Sequence, residues 1–210
     1  MQAAEVAARL AAQVPKVHIE RDFLDKGDHA ALLANTLASE AAYKPSLVAQ
    51  YRDGELERGV VSEGTRRSGR RSLDSEFKDA FKVRIGERQN EICAAIGVSF
   101  PDPHKFEIEA VHNGDGALFS RHIDTTFGTA ARFRVISAVY YYFFAPRRFS
   151  GGELELFSLD QTQSVTVEPE DNMMVFFPSI FVHEVLPVSV PSRAFEAGRF
   201  SVNCWINQAA

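Results

Sequence analysis

Four residues in the second half of the chain have types and spacings that suit one chemistry. His122 and Asp124 are separated by a single isoleucine, His183 follows much later, and Arg199 comes after it. Two imidazoles and one carboxylate can occupy one face of an octahedral metal, which leaves three positions for an oxidisable acid and O2. We therefore interpret His122, Asp124 and His183 as the ligands and catalytic centre of an Fe(II) site, and Arg199 as the anchor of the acid.

The spacing of the first pair requires an extended backbone. Residues two apart on a strand point to the same side, so His122 and Asp124 can reach one metal while Ile123 faces the other way. His183 must then come from a strand that folds back beside this one. For Arg199, a planar guanidinium binds a carboxylate through two parallel hydrogen bonds. A histidine alone is more often structural, but the four residues together favour the metal site.

Composition limits the classes of protein that fit this chain. With 210 residues, 45% of them hydrophobic, we expect one domain with one core. The net charge of -5 argues against nucleic acid as a partner. Two cysteines fit a reducing cytoplasm, and no apolar run is long enough to span a membrane. We predict a cytoplasmic protein with no membrane or nucleic-acid partner; oligomeric state cannot be read from the sequence.

The first half of the chain predicts supporting elements. Helices are expected over residues 1–13, 28–40 and 75–96, with a strand at 17–20. Residues 44–72 have few hydrophobic side chains and recurrent glycines, so we predict a long loop that either covers substrate or is mobile. Its cluster Arg66, Arg67, Arg70 and Arg71 favours a solvated face over a recognition patch for an acidic substrate.

The second half has short aromatic and β-branched runs separated by turn residues. Eight strands are predicted, at 106–111, 118–124, 135–144, 153–157, 164–167, 173–177, 183–188 and 200–206. They suggest a mainly β fold, a double-stranded β-helix or jelly roll, with the N-terminal helices packed on it. We expect a single domain over 1–210, in which 1–103 provide helical support and the covering loop and 104–207 form the catalytic core.

Five motifs in this half carry a family resemblance. They are Ile136-Ser137-Ala138-Val139-Tyr140-Tyr141, Ser150-Gly151-Gly152-Glu153-Leu154, Met174-Val175-Phe176-Phe177-Pro178, His183-Glu184-Val185 and Arg199-Phe200-Ser201-Val202-Asn203-Cys204-Trp205. In this order they resemble the Fe(II)- and 2-oxoglutarate-dependent dioxygenases, most closely the prolyl 4-hydroxylases. Around His183 and Arg199 the chain is most similar to the oxygen-sensing prolyl hydroxylases, which also use arginine where collagen-type enzymes use lysine.

The resemblance implies roles for individual residues. His122, Asp124 and His183 would bind Fe(II), and Arg199 with Tyr141 would hold the distal carboxylate of 2-oxoglutarate. Three further cofactor contacts are predicted, namely Ser201, Trp205 and His112. His112 and Phe119 stand where the oxygen-sensing branch has tyrosines, and Phe119 lacks the hydroxyl donor.

The implied reaction is hydroxylation of a C–H bond, with O2 consumed and succinate and CO2 released. The substrate predicted first is a prolyl residue in a peptide or protein, and ascorbate is expected as a reductant. Two alternatives stay open. The first is hydroxylation of a free amino acid or other small metabolite, and the second is a non-catalytic jelly roll that senses a metal or ligand.

Overall fold

The structure is a computed structural model that describes residue 8 and residues 10–52, 55–125 and 129–209. Most of the helix predicted over residues 1–13 lies outside these residues. No helix within the described ranges is both long enough and apolar enough to cross a membrane.

Two longer helices lie close to the positions predicted for helices at 28–40 and 75–96. Helix α1 spans Lys26–Ala38 and so begins two residues before the predicted start; its N-cap is Asp25, whose carboxylate accepts a hydrogen bond from the Asp28 backbone N–H. Helix α2 spans Ser75–Ile96 and ends at Gly97, whose left-handed φ of 75° closes its C-terminus. Short 3-10 turns occur at Glu40–Ala42, Ala130–Phe133 and Phe195–Ala197.

Strands make up most of the remaining structure. In chain order they are β1 (His18–Arg21), β2 (Lys44–Pro45), β3 (Val48–Arg52), β4 (Glu55–Val60), β5 (Arg66–Arg67), β6 (Gly69–Ser72), β7 (His104–Asn113), β8 (Leu118–His122), β9 (Arg134–Tyr142), β10 (Ser150–Gly151), β11 (Leu154–Phe157), β12 (Ser164–Val167), β13 (Met173–Pro178), β14 (His183–Val185), β15 (Val188–Ser189) and β16 (Arg199–Gln208). The principal sheet has the order β1-β13-β9-β16-β7-β6-β2, and the second sheet has the order β12-β11-β14-β8-β5. The predicted jelly-roll fold is confirmed.

Alternation along the strands divides the molecule into two layers. On β16, Phe200, Val202, Cys204 and Ile206 join the hydrophobic core against the helices. The intervening residues of the same strand, from Arg199 to Trp205, face the cavity between the sheets. The helices therefore support the back of the principal sheet and leave its other face to the site.

The predicted loop over residues 44–72 is wrong in its secondary structure. β5 pairs with β8, and β6 pairs with β7, so the segment extends both sheets at one edge. Backbone hydrogen bonds do not depend on the polarity of the side chains, which explains why a polar, glycine-containing sequence can form these strands. Arg66 and Arg71 are also largely covered, so the arginine cluster is only partly a solvated face.

Candidate active site

The metal triad assembles where two strands of the second sheet pair. His122 on β8 is the direct antiparallel partner of His183 on β14, and their rings lie 4.1 Å apart. Asp124 follows just after β8; its carboxylate lies 3.7 Å from Nε2 of His122 and 3.5 Å from Nε2 of His183. One ligand atom from each residue falls within 4.8 Å of the others, which is the cluster needed to hold one metal ion.

Backbone carbonyls fix the tautomer of both imidazoles. Nδ1 of His122 donates to the Ser120 carbonyl at 2.8 Å, and Nδ1 of His183 donates to the Phe181 carbonyl at 3.0 Å. A carbonyl can only accept, so the proton must sit on Nδ1 and the Nε2 lone pair faces the metal position. Burial, followed by the repulsion of His183, lowers the pKa of His122 to about 3, so that imidazole is neutral and able to bind a metal at neutral pH.

The carboxylate of Asp124 is oriented by a hydrogen bond from a serine hydroxyl. Ser137 Oγ donates to Oδ2 at 2.6 Å and in turn lies 2.8 Å from Ser179 Oγ. Burial alone would raise the pKa of Asp124, but the two histidines and the hydrogen bonds from Ser137 and Trp205 outweigh it and lower the pKa to about 2. The group is therefore ionised and oriented before a metal binds.

Arg199 and Tyr141 form a buried site for an anion on the principal sheet. Arg199 is 2% exposed and Tyr141 fully buried, and the guanidinium lies 5.0 Å from the centre of the Tyr141 ring. Within the described part of the chain, Nε and Nη1 of Arg199 and the Tyr141 hydroxyl have no hydrogen-bond partner. Buried donors of this kind are normally satisfied, and a carboxylate would satisfy all three.

Gly152 makes room for the Arg199 side chain. Its φ of 80° is left-handed, and a Cβ at this position would lie 3.0 Å from both Cδ and Nε of Arg199. Gly151 is the last residue of β10, which pairs with β15, and Gly152 follows it. Gly152 therefore has a role in the site through the space that it leaves for Arg199.

The triad and the anion site share one cavity. It extends from Arg199 and Tyr141 to the three metal ligands. A dicarboxylate anchored at Arg199 would present its other end to the metal, and the residues present therefore fit Fe(II) with 2-oxoglutarate.

The other predicted contacts fall on two faces of the principal sheet. Ser201, Asn203 and Trp205 line the cavity, as alternation on β16 requires, and Ser201 Oγ lies 3.2 Å from the Asn203 side-chain oxygen. His112 does not reach the cavity. It pairs with Phe200 on the helix side of the sheet, its ring packs on Phe195 at 4.4 Å, and Nε2 donates to the Phe195 carbonyl.

The predicted co-substrate contact of His112 is therefore not made, because its neighbours Val111 and Asn113 are the ones that face the cavity. Phe119, in contrast, lies against the metal site. Its ring stacks on the His122 imidazole at 3.5 Å and restricts the orientation of that ligand.

Three residues of the site were not predicted. Ser137 shares its strand face with Tyr141, so alternation on β9 was a usable signal. Arg134 covers the Trp205 ring at 3.9 Å and approaches Asp124 Oδ1 at 3.8 Å. Arg66 lines the mouth of the cavity over Phe119. No sequence spacing connects Arg66 or Arg134 to the triad, because both reach it through tertiary packing.

Comparison with known proteins agrees with this geometry. Residues 108–207 match the model of the 2OG-Fe(II) oxygenase superfamily. A PKHD-type hydroxylase of Synechocystis sp. is 32% identical over 135 residues, which are 60% of this chain and 44% of the relative, so the match spans less than half of that protein.

Two solved structures share the fold over nearly the whole chain. A Pseudomonas putida prolyl-4-hydroxylase is 23% identical, with 99% of each chain covered and a TM-score of 0.66. A Trichoplax adhaerens prolyl hydroxylase, solved in complex with a hypoxia inducible factor peptide fragment, is 17% identical, with 99% of this chain and 93% of that chain covered and a TM-score of 0.64. Residues 108–207 are therefore similar to the 2OG-Fe(II) oxygenase superfamily, and the fold of the chain is that of the prolyl hydroxylases.

Proposed function

We propose that this protein is an Fe(II)- and 2-oxoglutarate-dependent oxygenase that hydroxylates a prolyl residue of a peptide or protein, with release of succinate and CO2. The observation that carries the proposal is the shared cavity. A complete metal triad and an unsatisfied buried anion site face the same space, 2-oxoglutarate would occupy both, and a C–H bond can approach from outside.

The residues of the chain hold, orient and shield the reacting groups. Fe(II) and 2-oxoglutarate, when bound, supply the oxidising chemistry with O2. The carbonyls of Ser120 and Phe181 aim the two imidazoles, and Ser137 aims the carboxylate of Asp124. Arg199 and the protonated phenol of Tyr141 would fix the far carboxylate of the co-substrate, whose direction then determines which atoms reach the metal.

An open groove beside the metal site favours a large substrate. Its lining includes Leu47, Val48, His122, Arg134 and Trp205. The groove lies outside the cavity that holds Tyr141 and Arg199 and shares the metal ligands His122 and Asp124 with it, so an extended peptide could lie along the groove past the metal site. This open approach is the reason to place a peptidyl substrate ahead of a metabolite.

Turnover assays test the proposal directly. Purified protein with Fe(II), 2-oxoglutarate and O2 should form succinate, and a proline-containing peptide library should yield products that carry one added oxygen atom by mass spectrometry. Products found only in a parallel metabolite pool would refute the peptidyl substrate but keep the oxygenase. Bound iron without any succinate, with or without substrate, would favour the non-catalytic alternative.

A further inference from the structure

The groove beside the metal site is rich in guanidinium groups, although the chain as a whole has a net charge of -5. Four arginines line it, Arg66, Arg70, Arg121 and Arg134. The carboxylates among the lining residues are Glu107, Glu109 and the metal ligand Asp124. A bound Fe(II) would take up the charge of Asp124, so the groove keeps more positive than negative groups.

Two of these arginines have a carboxylate of their own. Arg134 contacts Glu107 at 2.7 Å, and Glu107 also accepts a hydrogen bond from Asn207 at 2.9 Å. Arg121 contacts Glu184 at 3.1 Å. Both of these arginines therefore already have an anionic partner.

The other two share one carboxylate. Arg66 Nη2 lies 3.2 Å from Oε1 of Glu109, and Arg70 Nη1 lies 3.5 Å from Oε2 of the same residue. Among the described residues one negative charge, that of Glu109, serves both guanidinium groups, so this part of the groove carries one positive charge more than its described carboxylates neutralise. The Arg66 side chain is 10% exposed, which leaves little water to solvate it, whereas Arg70 is 42% exposed and points donors at the groove.

The uncompensated charge lies close to the reacting centre. The Arg66 guanidinium lies 4.8 Å from the centre of the Phe119 ring, and the same ring stacks on the metal ligand His122. Arg66 and Arg70 line the same groove as His122. A peptide that presents a C–H bond to the metal site would therefore bring its neighbouring residues to the arginine pair.

We infer that Arg70, supported by Arg66, recognises a carboxylate of the substrate, so that the favoured peptide has an aspartate or glutamate within a few residues of the hydroxylated position. The inference rests on the proposed function, since it names the class of peptide that the same groove accepts. The carboxylate would supply the second negative charge that Glu109 cannot.

The inference is tested with pairs of peptides that differ at a single residue, which is acidic in only one member of each pair. Proline peptides with Asp near the proline are compared with the same peptides carrying Asn, first by anaerobic binding to protein loaded with Fe(II) and 2-oxoglutarate, then by hydroxylation. We expect the acidic member to bind about three- to tenfold more tightly, the range for one partly exposed charge-assisted hydrogen bond, and its advantage to shrink with added salt.

Variants of Arg70 separate recognition from folding. Arg70→Gln should remove most of the preference for the acidic peptide and leave binding of the Asn peptide unchanged, and Arg70→Glu should reverse the preference. The matched control is Arg88→Gln, because Arg88 is 47% exposed and pairs with Glu91 on helix α2, away from the groove. This control should keep the wild-type preference.

The outcomes distinguish the inference from the proposed function. Equal binding of both peptides by the wild type, or an equal loss for both in Arg70→Gln, would overturn the inference even if proline is hydroxylated. Arg70-dependent binding of acidic peptides without any hydroxylation would support the inference and refute the prolyl hydroxylase. If no peptide binds or reacts, both fail.

Discussion

The hydroxyl of Tyr141 offers a sharp test of the co-substrate site, because its removal should weaken the binding of the ligand and leave the stability of the ligand-free protein almost unchanged. The group is buried and has no hydrogen-bond partner in the described part of the chain. Burial raises the pKa of Tyr141 above 10, so the phenol is protonated at neutral pH and can donate to a carboxylate. Tyr141→Phe deletes this donor and keeps the ring that packs under Arg199.

The expected changes in affinity and in stability follow from the hydrogen bonds that the hydroxyl makes with and without the ligand. A hydrogen bond to a charged group contributes about 1.5–3 kcal/mol, so the dissociation constant of 2-oxoglutarate should rise by roughly ten- to a hundredfold. In the ligand-free protein the same hydroxyl lines the cavity and makes no hydrogen bond to another described residue, so its removal should change the free energy of unfolding by less than about 0.5 kcal/mol.

Two measurements on each variant decide the outcome. Calorimetric titration of the Fe(II) protein with 2-oxoglutarate, without O2, gives the affinity, and urea unfolding of the metal-free protein gives the stability. The matched control is Tyr142→Phe, because the Tyr142 hydroxyl lies 3.0 Å from Thr36 Oγ1 on the helix side of the sheet. It should lose about 1 kcal/mol of stability and keep its affinity.

The reasoning would be refuted by an unchanged affinity in Tyr141→Phe, or by an equal loss of affinity in both variants. An unchanged affinity would mean that the co-substrate carboxylate does not reach this hydroxyl. Equal losses would mean that the change acts through the packing of β9.

Other predictions test the remaining parts of the site. His183→Ala should abolish Fe(II) binding, measured by metal content after dialysis, whereas Arg199→Ala should keep the metal and weaken 2-oxoglutarate by a hundredfold or more; unchanged co-substrate affinity in the second variant contradicts the anchor. Gly152→Ala should also weaken 2-oxoglutarate, about tenfold, because the new Cβ would press on Arg199, and normal affinity would show that the side chain can move aside. Burial, opposed in part by the hydrogen bond to the Phe195 carbonyl, lowers the pKa of His112 from 6.5 to about 4. The unfolded chain therefore gains a proton at higher pH than the folded one, so this contribution to stability is complete above pH 6.5 and is lost as the pH falls to about 4. The loss should be about 3 kcal/mol in urea unfolding of the wild type relative to His112→Phe, and parallel pH profiles would contradict it.

Much of the fold could be predicted because its signals are local. The run of Phe77, Phe81, Ile85, Ile92 and Ile96 has helical spacing, and all five side chains are buried on α2. The alternating runs of the second half became strands at nearly the predicted bounds. Strands β5 and β6 carry arginine, serine and glycine in place of apolar side chains, so their sequence has no hydrophobic pattern to indicate a strand, and the predicted loop was wrong.

His112 illustrates a second limit on what can be predicted from the sequence. A shift of one residue along a strand moves every side chain to the other face, and the sequence does not state the parity with which β7 enters the sheet. The pairing of His112 with Phe200 on β16 decides it, and places Val111 and Asn113 in the cavity. The family resemblance therefore predicted the correct strand for a cavity residue, β7, but it selected His112, which lies on the opposite face of that strand.

The sequence by itself determined the reactive groups, because a single residue separates His122 from Asp124 and the two-residue alternation of strand β16 places Arg199 beside Ser201, without reference to the rest of the chain. Only the tertiary structure decided which distant groups complete them. The antiparallel register brings His183 to His122, the sheet-to-sheet packing places Arg134 against Asp124, and the edge strand β5 sets Arg66 over Phe119. These contacts depend on how strands far apart in the chain pair, and no local spacing encodes that pairing.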